Sequence, residues 1–253
     1  MKASLKIKEK LIKRILKHLS VVMKISLINT VKELLERMKY IENFPEVLLR
    51  SKLHKRALIK VKPRKHDFHV LIRDEKDLLV VIDCLFLNPY TFLFDIEEDD
   101  VVFDVGAHIG VFTLYSALKC RKGVVIAYEP SPENYRILMS NLALNNIKNA
   151  RAYMRAISSK SGEVSFYTSS EWHYSCSLYY EWVKRRETPF KRVVVKASSL
   201  RDEVRSNGVK RINFLKMDCE GSELLVLRGG RKTLERFHPQ IFSEIHHGAL
   251  AEL

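Results

Sequence analysis

The chain has 253 residues, 46% of them hydrophobic and 29% charged, a balance that supports a packed core and excludes collagen-like or wholly disordered character. The net charge of +14 lies entirely between Met1 and His66, where 19 Lys and Arg face 5 Asp and Glu, while the remainder holds 25 of each. A basic arm on a neutral body points to docking on an anionic membrane surface or another polyanion, and makes a nucleic acid laid across the body the less favoured partner.

Leu5, Leu11, Ile12, Ile15, Leu16 and Leu19 recur at three- and four-residue spacing, so the stretch 1–40 is expected to hold an amphipathic helix with lysines on its other face. A second helix is expected over Thr30 to Met38, capped by the Asn29-Thr30 pair, and the basic run His54 to His66 reads as a linker or exposed edge. Alternation in Phe68 to Arg73 and Leu78 to Ile82 predicts two strands separated by a polar Asp-Glu-Lys-Asp turn. The most apolar stretch, Leu78 to Ile96, is interrupted by Asp83, Asn88, Pro89 and Asp95, and falls short of the roughly 20 residues that span a bilayer. No secretory leader is recognisable, and Cys84, Cys120, Cys176 and Cys219 form no Cys-x-x-Cys pair. Reduced thiols, no metal site and a cytoplasmic location, with peripheral membrane contact through the arm as the variant, are the expectation.

Beyond the acidic cluster Glu97 to Asp100 the pattern becomes regular. Strand-like Val101 to Phe103 leads to a helix over Val111 to Lys119, Val124 to Tyr128 to a helix from Pro132 to about Asn145, and a third strand is expected at Ala152 to Ile157. Two strand-like runs, Glu163 to Thr168 and Arg192 to Ala197, flank an aromatic and basic insert containing Trp172, His173, Tyr174, Tyr179, Tyr180 and Trp182. Ile212 to Met217, a helix from Ser222 to Phe237 and a strand at Ile241 to Ile245 complete the series. Strands alternating with helices predict a Rossmann-like α/β domain over residues 67–253, with helices on both faces of a parallel sheet and a basic helical extension at 1–66.

The run Val101 to Thr113 carries the chemistry. A buried strand ends in Asp104, a small-residue bend follows, and a helix begins with its N–H groups turned toward a ligand. Gly106 and Gly110 are separated by three residues, which departs from the Gly-x-Gly-x-x-Gly of dinucleotide sites and disfavours NAD. An ordinary tight strand-to-helix connection is the competing reading. Glu129, which closes the next strand after Gly110, stands where a carboxylate can accept from both hydroxyls of a ribose; a solvated strand-end charge is its alternative.

The segments FDVGAHIGVFTL, YEPSPENYRILMSNLALN, LKMDCEGSELLVLRGG and FSEIH resemble the FkbM-type methyltransferases, a branch of the class I enzymes that use S-adenosyl-L-methionine, over about residue 77 to the end. The resemblance implies that Asp104, Gly106, Ala107, His108 and Gly110 surround the methionine portion of that cofactor, with Thr113 on the first helical turn. It places Glu129 on the ribose, Pro130 and Ser131 beside the adenine, and Asp218 near the transferred methyl group with Glu220 just beyond. Three departures stand out. His108 occupies a position where relatives often carry Asn. The third strand ends in Arg155-Ala156-Ile157 with no acid for the adenine amine. Only seven residues follow His246, so the sheet is either short or completed by N-terminal strands.

Transfer of a methyl group to an alcohol needs alignment and removal of a proton. Asp218 and Glu220 are the favoured catalytic pair, ahead of Glu244, His246 and His173; Asp218 could instead position the cofactor and Glu220 cap the following helix. The resemblance points to a hydroxyl of a sugar, glycan or glycolipid as acceptor. An RNA methyltransferase and a non-catalytic module that keeps the cofactor fold while docking on membrane or polyanion are the alternatives.

Overall fold

The computed structural model describes residues 36–53, 58–87, 95–169, 176–178, 180, 184 and 189–244. The expected N-terminal amphipathic helix, most of the Thr30 to Met38 helix, the insert residues Trp172 and His173, and the pair His246 and His247 lie outside them. No described helix is long and apolar enough to cross a membrane.

The first elements are α1 (Phe44–Leu53), β1 (Ile59–Val61), β2 (Val70–Ile72) and α2 (Glu75–Ile82), which runs into a single π-helical turn at Asp83–Leu87. Then come β3 (Val101–Val105), α3 (Val111–Lys119), β4 (Val124–Tyr128), α4 (Pro132–Leu144) and β5 (Ala150–Tyr153). The chain continues through β6 (Ala156–Ser158), β7 (Gly162–Thr168), β8 (Lys191–Ser199), α5 (Leu200–Ser206), β9 (Phe214–Met217), α6 (Glu223–Phe237) and β10 (Gln240–Ser243).

Five parallel strands form the central sheet in the order β10-β9-β3-β4-β5. Both faces are covered, which is why VVFDV, VVIAY and FLKM read as nearly unbroken apolar runs. Side chains alternate between two cores. Val102, Val125 and Phe214 pack with α3, α4 and the N-terminal hairpin. Phe103, Ile126, Tyr128, Leu215 and Met217 pack with α5 and α6 on the other face. The sheet is completed among the described residues by these five strands alone; β1 and β2 form a separate antiparallel pair, and β6, β8 and β7 a second mixed sheet.

Three expectations are corrected. Leu78 to Ile82 is helical, because Asp74 accepts from the N–H groups of Lys76 and Asp77 and so starts a helix where the polar run suggested a turn. The basic run to His66 is not merely an edge: Ile59 and Val61 are buried, and β1 pairs across it with β2. The third strand is cut at Met154-Arg155, so that β5 belongs to the central sheet and β6 to the second one.

The hairpin is fastened to the body by two side chains one helical turn apart, Asn141 in the last turn of α4 and Asn145 at its C-cap. Asn141 accepts from the N–H of Leu71 at 2.6 Å and donates to the carbonyl of Ile109 at 2.8 Å. Asn145 accepts from the N–H of His69 at 2.8 Å and donates back to its carbonyl at 2.7 Å. These bonds satisfy the open edge of β2, whose backbone would otherwise be buried without partners.

Candidate cofactor and acceptor site

A cavity of about 460 Å³ opens at the carboxyl ends of β3, β4 and β9, where open α/β sheets place their ligands. Gly106 and His108 of the bend, Glu129, Arg155, Asp218 and Glu220 line it. Leu79, Asp83 and Leu87, from α2 and the π turn, form a further wall with Glu244. The segment that the sequence assigned to a strand thus supplies one side of the site.

The bend depends on its glycines. Gly106 has φ of 79°, and a Cβ there would lie 1.9 Å from the carbonyl oxygen of Asp218; Gly110 has φ of 86°. Only a residue without a side chain allows both this backbone and the close approach of the β3 and β9 ends. His108 has φ of 51°, a left-handed conformation that Asn and His adopt more readily than most residues. The N–H groups of Gly106 and Ala107 both donate to the carbonyl of Tyr128, and that of Gly110 to Ala107. These three donors of the bend are therefore committed within the protein.

Glu129 turns back over the bend. Its Oε2 accepts from the N–H of His108 at 2.8 Å and its Oε1 from the N–H of Ser131 at 2.9 Å. Burial pushes its carboxyl up to about 7, against the pull of those hydrogen bonds. Asn134 Nδ2 donates to Oε1 as well, at 3.4 Å; of the roughly four lone-pair positions of a carboxylate, one on Oε2 remains for a hydroxyl donor. Pro130 lines the cavity, while Ser131 is buried and caps α4 through its side-chain oxygen.

Asp104 and Thr113 lie under the bend and are fully buried. Thr113 donates to Asp104 Oδ2 at 2.6 Å, and Lys216 Nζ stands 3.2 Å from Oδ1. Lys216 was missed by sequence reasoning. It faces Asp104 across the β3–β9 ladder, donates to the carbonyl of Gly106 at 2.7 Å and lies 3.7 Å from Asp218 Oδ2. Burial pulls its ammonium down, but Asp104 and Asp218 outweigh that effect and hold it above the usual lysine value. The one available signal was a lysine inside the otherwise apolar strand Phe-Leu-Lys-Met.

A second unread group holds His108. Arg73 and Asp77 form a two-bonded pair, with Nε and Nη2 of Arg73 each 2.8 Å from an Asp77 oxygen. His108 Nε2 stands 3.3 Å from Arg73 Nη2 and 3.6 Å from Asp77 Oδ1. Burial holds the imidazole down to about 4, with Asp77 opposing and Arg73 reinforcing the shift. His108 is accordingly neutral near pH 7.

At the far side, Glu223 rather than Glu220 satisfies the turn before α6, accepting from the N–H groups of Cys219 and Gly221. Glu220 contributes its carbonyl to the Ser177 hydroxyl, and its residue lines the cavity next to Asp218. Among the described residues no cluster of His, Cys, Asp and Glu could hold a metal ion.

A strand-ending acid, a glycine bend crossed by a neighbouring carboxylate, and a cavity over the switch in strand order together define a Rossmann-like nucleoside-cofactor protein. The chain belongs to the FkbM methyltransferase family, whose domain matches residues 104–252. It is 31% identical over 160 residues to methyltransferase sdnD of Sordaria araneosa, covering 53% of this chain and 62% of that protein. It is 31% identical over 154 residues to the hexuronic acid methyltransferase AglP of Haloferax volcanii, covering 60% of this chain and 58% of AglP. With the 31-O-demethyl-FK506 methyltransferase FkbM of Streptomyces tacrolimicus it shares 28% over 185 residues, 63% of this chain and 71% of that one. The chain thus spans less than two thirds of the length of the first two relatives.

Proposed function

We propose that this chain is an S-adenosyl-L-methionine-dependent methyltransferase that methylates a hydroxyl of a sugar, glycan or glycolipid. The observation that carries the cofactor reading is the carboxylate of Glu129, buried over the Gly106 to Gly110 bend, with three of its lone pairs engaged by the protein and one on Oε2 left for a ribose hydroxyl. The bend borders the same cavity: Gly106, whose missing side chain lets the β3 and β9 ends meet, lines it together with His108, Glu129 and Asp218. The names of the hexuronic acid and 31-O-demethyl-FK506 enzymes support an acceptor that is a sugar or another hydroxyl compound.

When bound, the cofactor supplies a methyl group on a positively charged sulfur, open to attack by an oxygen. The residues of this chain do the rest. Gly106, Ala107, His108 and Gly110 shape the bend, Asp104, Thr113 and Lys216 brace it from below, and Glu129, Pro130 and Ser131 define the nucleoside side. Asp218 or Glu220 takes the proton that the acceptor hydroxyl loses, and the walls hold the acceptor in line.

Calorimetric titration of wild type and Glu129→Ala with S-adenosyl-L-methionine and, separately, NAD tests this reading. Saturable binding of the first by wild type, weakened at least about tenfold by the substitution, is expected for the loss of charge-assisted hydrogen bonds. Affinity should also rise from pH 6 to pH 8, as the Glu129 carboxyl at about 7 gives up its proton and becomes the better acceptor. Saturable binding of NAD alone overturns the reading. Transfer of labelled methyl to glycan, lipid and RNA extracts then decides the acceptor.

A further inference from the structure

The third strand of the central sheet is followed by a cation. Strand order sets the bend after β3, Glu129 after β4 and Arg155 after β5, so Arg155 lies beyond Glu129 as seen from Gly106. It lines the same cavity as Pro130, Asn134 and Phe166, on the side of Glu129 where the base of a nucleoside held by that carboxylate belongs.

The guanidinium is held in place. Nη1 donates to Glu203 Oε1 at 2.8 Å, and the group lies over the ring of Tyr153 at 5.1 Å. Glu203 is 1% exposed on α5, so its charge depends on Arg155 for compensation. A third of the Arg155 side chain nevertheless remains open, and its buried Nε has no hydrogen-bond partner among the described residues. A guanidinium carries five donors and accepts nothing. Anchored from behind and open in front, this one is suited to a flat ring bearing acceptors.

We propose that Arg155 reads the base of the cofactor by donating to its acceptor atoms, so that recognition does not depend on the exocyclic amine of adenine. The inference rests on the adenosyl reading above. Adenine presents ring nitrogens as acceptors and one amine as donor; hypoxanthine replaces that amine with a carbonyl and makes N1 a donor, so its N7 edge offers two acceptors side by side where that of adenine offers an acceptor and a donor. A carboxylate at this position would welcome the amine and repel the carbonyl. A guanidinium reverses the preference, and sites that match donor to acceptor discriminate strongly. Asn134, on the same wall, carries one group of each kind and by itself selects neither base.

The test is calorimetric binding of S-adenosylhomocysteine and S-inosylhomocysteine to the full chain. Wild type is expected to bind the inosyl compound at least as tightly as the adenosyl one, a measurement that needs no variant. Because loss of Arg155 alone strands Glu203, the comparison protein is Arg155→Met combined with Glu203→Gln, its folding checked by circular dichroism. It should bind both compounds more weakly, with the larger loss, at least about tenfold, on the inosyl form. Rejection of the inosyl compound by wild type by more than about a hundredfold overturns the proposal. So does wild-type affinity of the double variant for both compounds. Failure of both compounds to bind wild type overturns the cofactor reading itself, and this inference with it.

Discussion

Two walls of one cavity are built by opposite means. The bend at Gly106 to Gly110 follows from local rules: an apolar strand, three residues that tolerate positive φ, and a helix that begins at once. The wall formed by α2 and its π turn has a local cap at Asp74 and a local Arg73–Asp77 pair, but its place is set by the packing of Leu78, Val81 and Ile82 into the core. The first wall can be read in a dozen letters, whereas the second requires the assembled protein. Only the bend should therefore couple stability tightly to cofactor affinity.

Lys216→Met gives the largest effect. It removes the cation between Asp104 and Asp218 and leaves Asp104, fully buried, with the Thr113 hydroxyl alone. A loss of about 3–5 kcal/mol is expected from breaking a buried pair; denaturant melts measure it, and titration with S-adenosylhomocysteine should register a parallel loss of binding. If stability falls while affinity holds, the bend is less tightly coupled than this comparison requires.

Acid sharpens the link between the two walls. His108, whose imidazole is held down to about 4 against an ordinary 6.5, faces Asp77 and Arg73 on one side and Asp218 and Lys216 on the other. The unfolded chain binds the proton more readily, so the contribution is complete above pH 6.5 and is lost as pH falls toward 4. It amounts to about 3 kcal/mol. Unfolding curves at several pH values for wild type and His108→Asn, a residue suited to the same φ, should converge as the pH drops; parallel curves would refute the assignment.

Asp77→Asn is next. It weakens both bonds to Arg73 and one contact to His108, at about 2 kcal/mol. Cofactor affinity should change by less than the Lys216 variant shows. Asp74→Ala, which removes only the α2 cap, should cost about 1 kcal/mol and leave affinity unaltered within error. A large loss of affinity in this last variant would break the distinction between the walls.

The same contrast explains what the sequence disclosed. The parallel core, the span of α3, the position of Glu129 and the two-glycine bend were legible because each obeys a local pattern or a fixed spacing. Lys216 was not, because its charge is meaningful only opposite Asp104, in a strand adjacent in space but remote along the chain. The asparagines of α4 looked like ordinary polar helix positions until the hairpin they clamp was in place. Leu78 to Ile82 alternated like a strand, and the Asp74 cap and buried face overrode that period. Asp104 and Thr113 were correctly grouped with the bend, but spacing could not distinguish a ligand contact from a brace underneath it.

Met154 and Arg155 are the only residues between β5 and β6, so the polypeptide steps from one sheet to another without slack. A residue added or removed at that seam would shift Arg155 off Tyr153 and Glu203, the two side chains that hold it.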